Sequence, residues 1–299
     1  LHDERGLPFA DAMMVARGCL NYTNHTLLPE ALERWSEGLM GHLLPRHMRL
    51  IEMINESHSQ QYPGVTIIEH GQVKMGELSF VMASKVNGVS ALHTELMKET
   101  VFKDLNGLHP ERIVNQTNGV TPRRWLKTCN PGLAGVVTDA IGDGWIGDAE
   151  KLVELEPHIA DGGFLERFTS AKRANKETLS NWFGTELGVK VDPSAMFDVQ
   201  IKRIHEYKRQ HLNILETIAL WQEKRDNPNG NWTPRVVVFG GKAAPGYHFA
   251  KDIIYLINSV ARKVNDDPIT SKWLKIVYPP NYNVTLAERL IPAADLSEQ

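Results

Sequence analysis

Apolar residues near the start of the chain recur every three or four positions. The series Ala31, Leu32, Trp35, Leu39, Leu43 and Leu44, then Met48, Ile51 and Ile54, has the period of an amphipathic helix. It predicts helix over residues 8–56, with Pro29 in the first turn of one segment and Pro45 breaking or kinking the run. From Gln60 to Gly71 the period is lost around Tyr62-Pro63-Gly64, which predicts a loop or a short extended stretch. Helical spacing returns from Met75 to Ser84 and from Ala91 to Phe102, with Asn87-Gly88 read as the turn between them.

The polar, threonine-rich stretch Asn115 to Pro122 reads as a domain junction, so we expect one unit over 1–114 and a second over 115–299. Residues 130–188 are mostly helical in pattern. Beyond them the pattern changes to short, partly β-branched runs at Met196–Ile201, Val236–Phe239 and Lys275–Tyr278, each followed by a turn. Two amphipathic helices separate the runs. The first carries Leu212, Leu215, Ile218, Ala219 and Trp221 on its apolar face; the second carries Phe249, Ile253, Leu256, Ile257, Val260 and Val264. Alternation of strand and helix at these lengths predicts a doubly wound α/β domain with a parallel sheet, whose functional groups gather past the strand C-termini.

Composition narrows the function classes. A formal net charge of −3 argues against a globally basic nucleic-acid binder. No apolar run is long enough to span a bilayer, and no secretory signal is visible, so no membrane partner is expected. Two cysteines, Cys19 and Cys129, cannot build a disulfide framework and suit a reducing, cytoplasmic setting. The chain opens at Leu1 without an initiator Met and closes at Ser297-Glu298-Gln299 just after a helical pattern, which reads as a segment of a longer protein.

The densest chemistry lies in Asp198–Arg209, where Lys202, Arg203, Lys208 and Arg209 follow the first predicted strand and run into a helix. Cations at a strand end and a helix start form a candidate anion site, with arginine able to grip a phosphate through paired bonds. A solvated basic helix start is the plainer reading of the same run. No metal site is read here, because Arg209 stands where His205-Glu206 would need a second histidine. The second strand ends in Gly240-Gly241-Lys242-Ala243-Ala244-Pro245-Gly246-Tyr247, either a ligand-approaching loop or an ordinary turn; it matches neither a P-loop nor a dinucleotide fingerprint. After the third strand, Thr285 with Glu288 reads as a helix capping box.

Five strings in this order carry a resemblance: Asn21–Thr26, Thr117–Trp125, Lys202–Lys208, Gly240–Tyr247 and Ile291–Gln299. Over nearly its whole length the chain resembles the α-1,4-glucan phosphorylases, pyridoxal-phosphate enzymes of glycogen and starch metabolism. The resemblance implies a GT-B-like glycosyltransferase architecture, here the end of a helical N-terminal domain and the start of a Rossmann-like C-terminal domain. It implies cleavage of terminal α-1,4-glucosyl units by inorganic phosphate, with retention, to give glucose 1-phosphate.

By position the resemblance gives Arg203 and Lys208 to the substrate phosphate and Lys202 to the cofactor phosphate. His25 and Asn118 go to the transferred glucose, with the His25 carbonyl near the developing positive charge. Tyr207 and the Val89 backbone lie at the sugar, Trp125 and Tyr282 pack around the cofactor ring, and Tyr247 belongs to the cleft entrance. It also implies a homodimeric parent. Two departures stand out: Asn283 replaces a basic residue of many relatives and has no assigned role, and the Ser57–Gly71 loop is short, hinting at a bacterial type. The lysine that forms the Schiff base lies downstream of Gln299 in the family. The competing reading is therefore a catalytically inactive carbohydrate-binding fragment.

Overall fold

The computed structural model describes residues 1–298, in two compact units, Leu1–Gly119 and a second from Val120 onward. The first holds β1 (Tyr22–Thr23), β2 (Arg34–Ser36), β3 (Ile68–Glu69), β4 (Gln72–Lys74), β5 (Val86–Gly88) and β6 (Ile113–Asn115). Strands β1, β5 and β6 form a parallel sheet in that order, while β2, β4 and β3 form a small antiparallel sheet. Phe80, Val86, Met97 and Phe102 are fully buried and anchor the core. The division at Gly119 falls a few residues beyond the boundary expected from composition. Residues 116 and 118 are still hydrogen-bonded into this unit, through Gly88 and Val89.

The continuous helical reading of residues 8–56 is corrected. Helix Phe9–Cys19 gives way to β1, a short 3-10 turn at Pro29–Ala31, and β2 before helices Glu37–Leu43 and Pro45–Gln61. Trp35 faces Val73 across the β2–β4 pair, and Ser36 caps the next helix by accepting from the Leu39 N–H at 3.1 Å. Pairing partners some forty residues away thus override a local helical period. Pro45 starts a helix, where its missing N–H is no loss.

Asn87-Gly88 is also corrected, from turn to strand β5. A Cβ on Gly88 would lie 2.1 Å from Thr94 Oγ1 and 2.8 Å from Thr94 Cα, so the glycine serves close strand–helix packing. A separate, tight reversal sits at His70-Gly71, with φ of 51° and 72°, between β3 and β4.

In the second unit, β7 (Met196–Ile201), β8 (Arg235–Gly240), β9 (Leu274–Val277) and β10 (Leu296–Ser297) form one parallel sheet in the order β10-β7-β8-β9. The strand runs anticipated from sequence fall on β7, β8 and β9. Phe197, Val199, Val236 and Val238 point to one buried cluster and Val237, Phe239 and Ile276 to the other, so both sheet faces are covered. Helices Gly162–Leu187 and Val284–Ala293 pack on the first face; helix His248–Asn265 covers the second.

Two local expectations fail here. In helix Gln210–Asp226, Leu212 and Leu215 are exposed, and the buried face is Gln210, Asn213, Ile214 and Thr217. That polar face is held by hydrogen bonds to the loop after β7, a tertiary demand that no apolar period reports. The capping box is also absent. Asn283 caps helix Val284–Ala293 by accepting from the Leu286 N–H at 3.0 Å, which leaves Thr285 within the helix. Glu288 turns away to bind Arg124.

Candidate functional site

In the first unit the candidate residues follow the C-terminal ends of adjacent parallel strands. His25 lies past β1, Val89 past β5 and Asn118 past β6. The Asn118 N–H donates to the Val89 carbonyl at 2.9 Å, and the Asn24 N–H to the Asn87 carbonyl at 3.0 Å. Asn24 is the buried member of its string: its side chain donates to the Tyr22 hydroxyl and accepts from the Thr26 N–H. It thereby fixes the turn that leaves His25 exposed. A loop asparagine is conspicuous in sequence, yet nothing local shows that it is the buried anchor.

The second unit gathers Lys202, Arg203, Tyr207 and Lys208 on one loop after β7. Backbone groups of the loop are pinned from below by buried amides. Gln210 Nε2 donates to the Arg203 carbonyl at 3.0 Å, and Gln210 Oε1 accepts from the His205 N–H at 3.3 Å. Gln200 Nε2 donates to the Lys208 carbonyl at 3.1 Å, and Asn213 Nδ2 holds Gln200 Oε1 at 3.1 Å. Arg209, at φ 58°, turns the chain into the next helix. Arg203 is exposed and makes no ion pair among the described residues, whereas Lys202 is half-buried.

Aromatic rings brace the loop's outer side. His205 lies between Tyr207 and Tyr247, with centroids 4.7 and 5.0 Å away, and the Lys208 ammonium stands 4.9 Å from the Tyr207 ring centre. The Tyr247 hydroxyl donates to Glu206 and accepts from the Glu206 N–H. Tyr247 therefore ties the end of the glycine loop to the basic loop. Sequence reading missed Gln200, Gln210, Asn213 and Glu206; their amide and carboxyl types were visible, but their partners were not.

The Gly240-Gly241 turn is built for close approach. A Cβ on Gly241 would fall 2.0 Å from the Lys202 carbonyl oxygen, and one on Gly240 would lie 2.9 Å from Ile201 and 3.5 Å from the Tyr282 ring. The Tyr278 hydroxyl donates to the Gly241 carbonyl at 2.6 Å; burial pushes that phenol up to about 12. Burial also raises the Tyr282 phenol. Trp125 lies in a π-helical turn, Arg123–Thr128, a geometry frequent at functional sites. This turn is tied to helix Val284–Ala293, which begins just after Tyr282.

Lys208 also lines a cavity of about 420 Å³ with Asp198, Gln200, Arg235 and Glu298. Burial, then the neighbouring Asp198 charge, pushes the Glu298 carboxyl up to about 7. Asp198 is buried and paired with Arg235 at 3.3 Å. Among the described residues no group of three or more His, Cys, Asp or Glu is arranged to hold a metal ion. Nor is any helix among them long and apolar enough to cross a membrane.

A family model described as carbohydrate phosphorylase matches residues 1–299. The chain is 46% identical, over its full length, to a glycogen phosphorylase of Synechocystis sp., of which it covers 37%. It is 45% identical over 99% of its length to the human liver form, covering 37% of that protein. It is 45% identical over its full length to a glycogen phosphorylase of Chlamydia pneumoniae, covering 38%. The chain thus spans under two fifths of the length of the relatives it matches.

Proposed function

The chain belongs to the carbohydrate phosphorylase family, and on that premise we propose that it is a segment of a cytoplasmic, homodimeric α-1,4-glucan phosphorylase with a GT-B-like architecture. The parent enzyme uses inorganic phosphate to release terminal glucosyl units as glucose 1-phosphate, with retention of configuration. The observation that carries this reading is the loop Lys202–Lys208, whose cations stand at a strand C-terminus on a backbone fixed by Gln200 and Gln210.

Arg203 and Lys208 bind the substrate phosphate. An exposed guanidinium without a protein carboxylate has its donors available for a dianion, and a lysine adds a point charge. In the first unit, His25 and Asn118 hydrogen-bond the transferred glucose, and the Val89 backbone lies at the sugar. The bond from Asn118 to Val89 supports a shared role for these two. The His25 carbonyl faces the positive charge that develops as the glucosidic bond opens. Tyr207 orients sugar or phosphate beside Lys208. Bond cleavage through phosphate needs no paired carboxylates of the glycosidase kind.

The residues present fit pyridoxal phosphate. Gly240-Gly241 lets the backbone of Lys202 pack directly on the turn, and the Tyr282 ring lies beside Gly240; the lysine is a cation suited to a phosphate and the ring a surface suited to a pyridine. Lys202 would hold the cofactor phosphate, with Trp125 and Tyr282 against the ring. When bound, the group supplies a phosphate that exchanges a proton with the substrate phosphate rather than an electron sink.

The test is phosphate-dependent formation of glucose 1-phosphate from maltoheptaose by the whole protein. Product that saturates with phosphate supports the proposal. A requirement for a nucleotide sugar, or maltoheptaose binding without any product, would overturn it.

A further inference from the structure

A second concentration of positive charge lies in the first unit, at the opposite end of its parallel sheet from His25, Val89 and Asn118. Arg17 belongs to the helix that leads into β1, Ser84 comes shortly before β5, and Arg112 immediately precedes β6. Together with Met13, Met14 and Ser57 they line an open cavity of about 410 Å³.

The two guanidiniums converge on one acceptor. Arg17 Nε donates to the Val81 carbonyl at 3.0 Å and an Arg112 terminal nitrogen to the same oxygen at 3.4 Å. One carbonyl cannot neutralise two cations. Arg112 has only the exposed Glu111 beside it, at 3.8 Å, and Arg17 has no carboxylate partner among the described residues. The surroundings register the excess charge. Arg112 is shifted down by burial and then by Arg17, and His109 by burial and then by Arg112. His58, buried with Nε2 unpartnered, is driven down to about 4 by burial, then by His109, Arg112 and Arg17. A protein normally answers such a cluster with carboxylates; here the cavity leaves room for an external anion.

We propose that this cavity binds a phosphomonoester dianion carried on a short apolar stem. Arg17 and Arg112 hold the head with the donors that Val81 does not occupy, Ser57 and Ser84 add hydroxyls, and Met13 and Met14 cover the stem. Two guanidiniums match a charge of about −2, and their planar forks match a phosphate's oxygens. The site is separate from the phosphate loop of the second unit and does not depend on the catalytic reading.

Calorimetric titration of the whole protein with hexyl phosphate, at low ionic strength and without inorganic phosphate, tests it. Saturable binding is expected, weakened about tenfold or more in Arg17→Gln and again in Arg112→Gln. Because Arg112 also braces Val81, Met13→Glu provides a second check: it leaves both arginines in place, introduces a negative charge into the cavity, and should weaken binding comparably. Hexanoate, a monoanion, should bind more weakly than hexyl phosphate. Absence of saturable binding overturns the proposal, as does affinity unchanged in Arg17→Gln and Met13→Glu. Binding lost only in Arg203→Gln would place the ion on the other loop and equally overturn it. Equal affinity for hexanoate would overturn the dianion assignment.

Discussion

Arg124 and Glu288, 164 residues apart, are joined by a 2.7 Å bond from the Arg124 Nε to a Glu288 carboxylate oxygen. The bond ties the π-helical turn that carries Trp125 to the helix that begins just after Tyr282. Both side chains retain solvent contact, so the pair contributes at most about 1 kcal/mol to stability. Glu288→Ala should therefore leave the melting temperature nearly unchanged; if Trp125 and Tyr282 hold the cofactor as proposed, it should also lower cofactor retention several-fold in the whole protein. Charge exchange, Arg124→Glu with Glu288→Arg, should recover part of that retention. Cofactor absorbance after dialysis measures both; full retention in Glu288→Ala would separate this bond from the cofactor.

Gly241→Ala should be among the most damaging small substitutions in the second unit. Its Cβ would meet the Lys202 carbonyl at 2.0 Å, a backbone atom that cannot rotate away. A loss of about 1–3 kcal/mol or more is expected, with a displaced basic loop. Gly246→Ala, whose Cβ would meet nothing within 4 Å, is the matched control and should be near neutral. Denaturant titration of both variants makes the comparison.

Arg203→Ala removes an exposed guanidinium that makes no ion pair among the described residues, so the fold should be unaffected. If Arg203 holds the substrate phosphate, turnover should fall about a hundredfold or more, with a weaker apparent affinity for phosphate. Steady-state kinetics at limiting phosphate decides; a rate near that of the parent would remove Arg203 from the site.

Asp295 anchors the strand at the edge of the second sheet. One carboxylate oxygen accepts from Lys176 Nζ at 2.6 Å and from the Phe197 N–H at 2.8 Å. Asp295→Ala strands the buried Lys176 ammonium and should cost about 3 kcal/mol. Lys176→Met should cost less, because Asp295 keeps the Phe197 N–H and some solvent. Equal losses in the two variants would contradict this asymmetry.

His58 makes the first unit acid-sensitive. Its folded value of about 4 lies below the ordinary 6.5, so between those values the unfolded chain binds more protons. Stability should be at its plateau above about 6.5 and decline as pH falls toward about 4, by on the order of 2–3 kcal/mol in total. His58→Gln should flatten that part of the profile, read by urea unfolding at several pH values.

Two things were written in the sequence alone. The β-branched runs of the second unit gave β7, β8 and β9, because strands covered on both faces need apolar residues at nearly every position. The cluster from Lys202 to Arg209 was equally visible, because charge density is a property of composition. Tertiary structure decided the rest. Trp35 became a strand residue because Val73 lies opposite it, and Gly88 because Thr94 packs against it. Helix Gln210–Asp226 turned a polar face inward because the loop after β7 has backbone groups that buried amides must satisfy. Asn283 took the helix cap that local spacing gave to Thr285, and Glu288 went to Arg124. Local periodicity reports what one segment prefers in isolation. Partners distant in sequence fix which preference is met, because a buried polar group without a partner costs more than an exposed leucine.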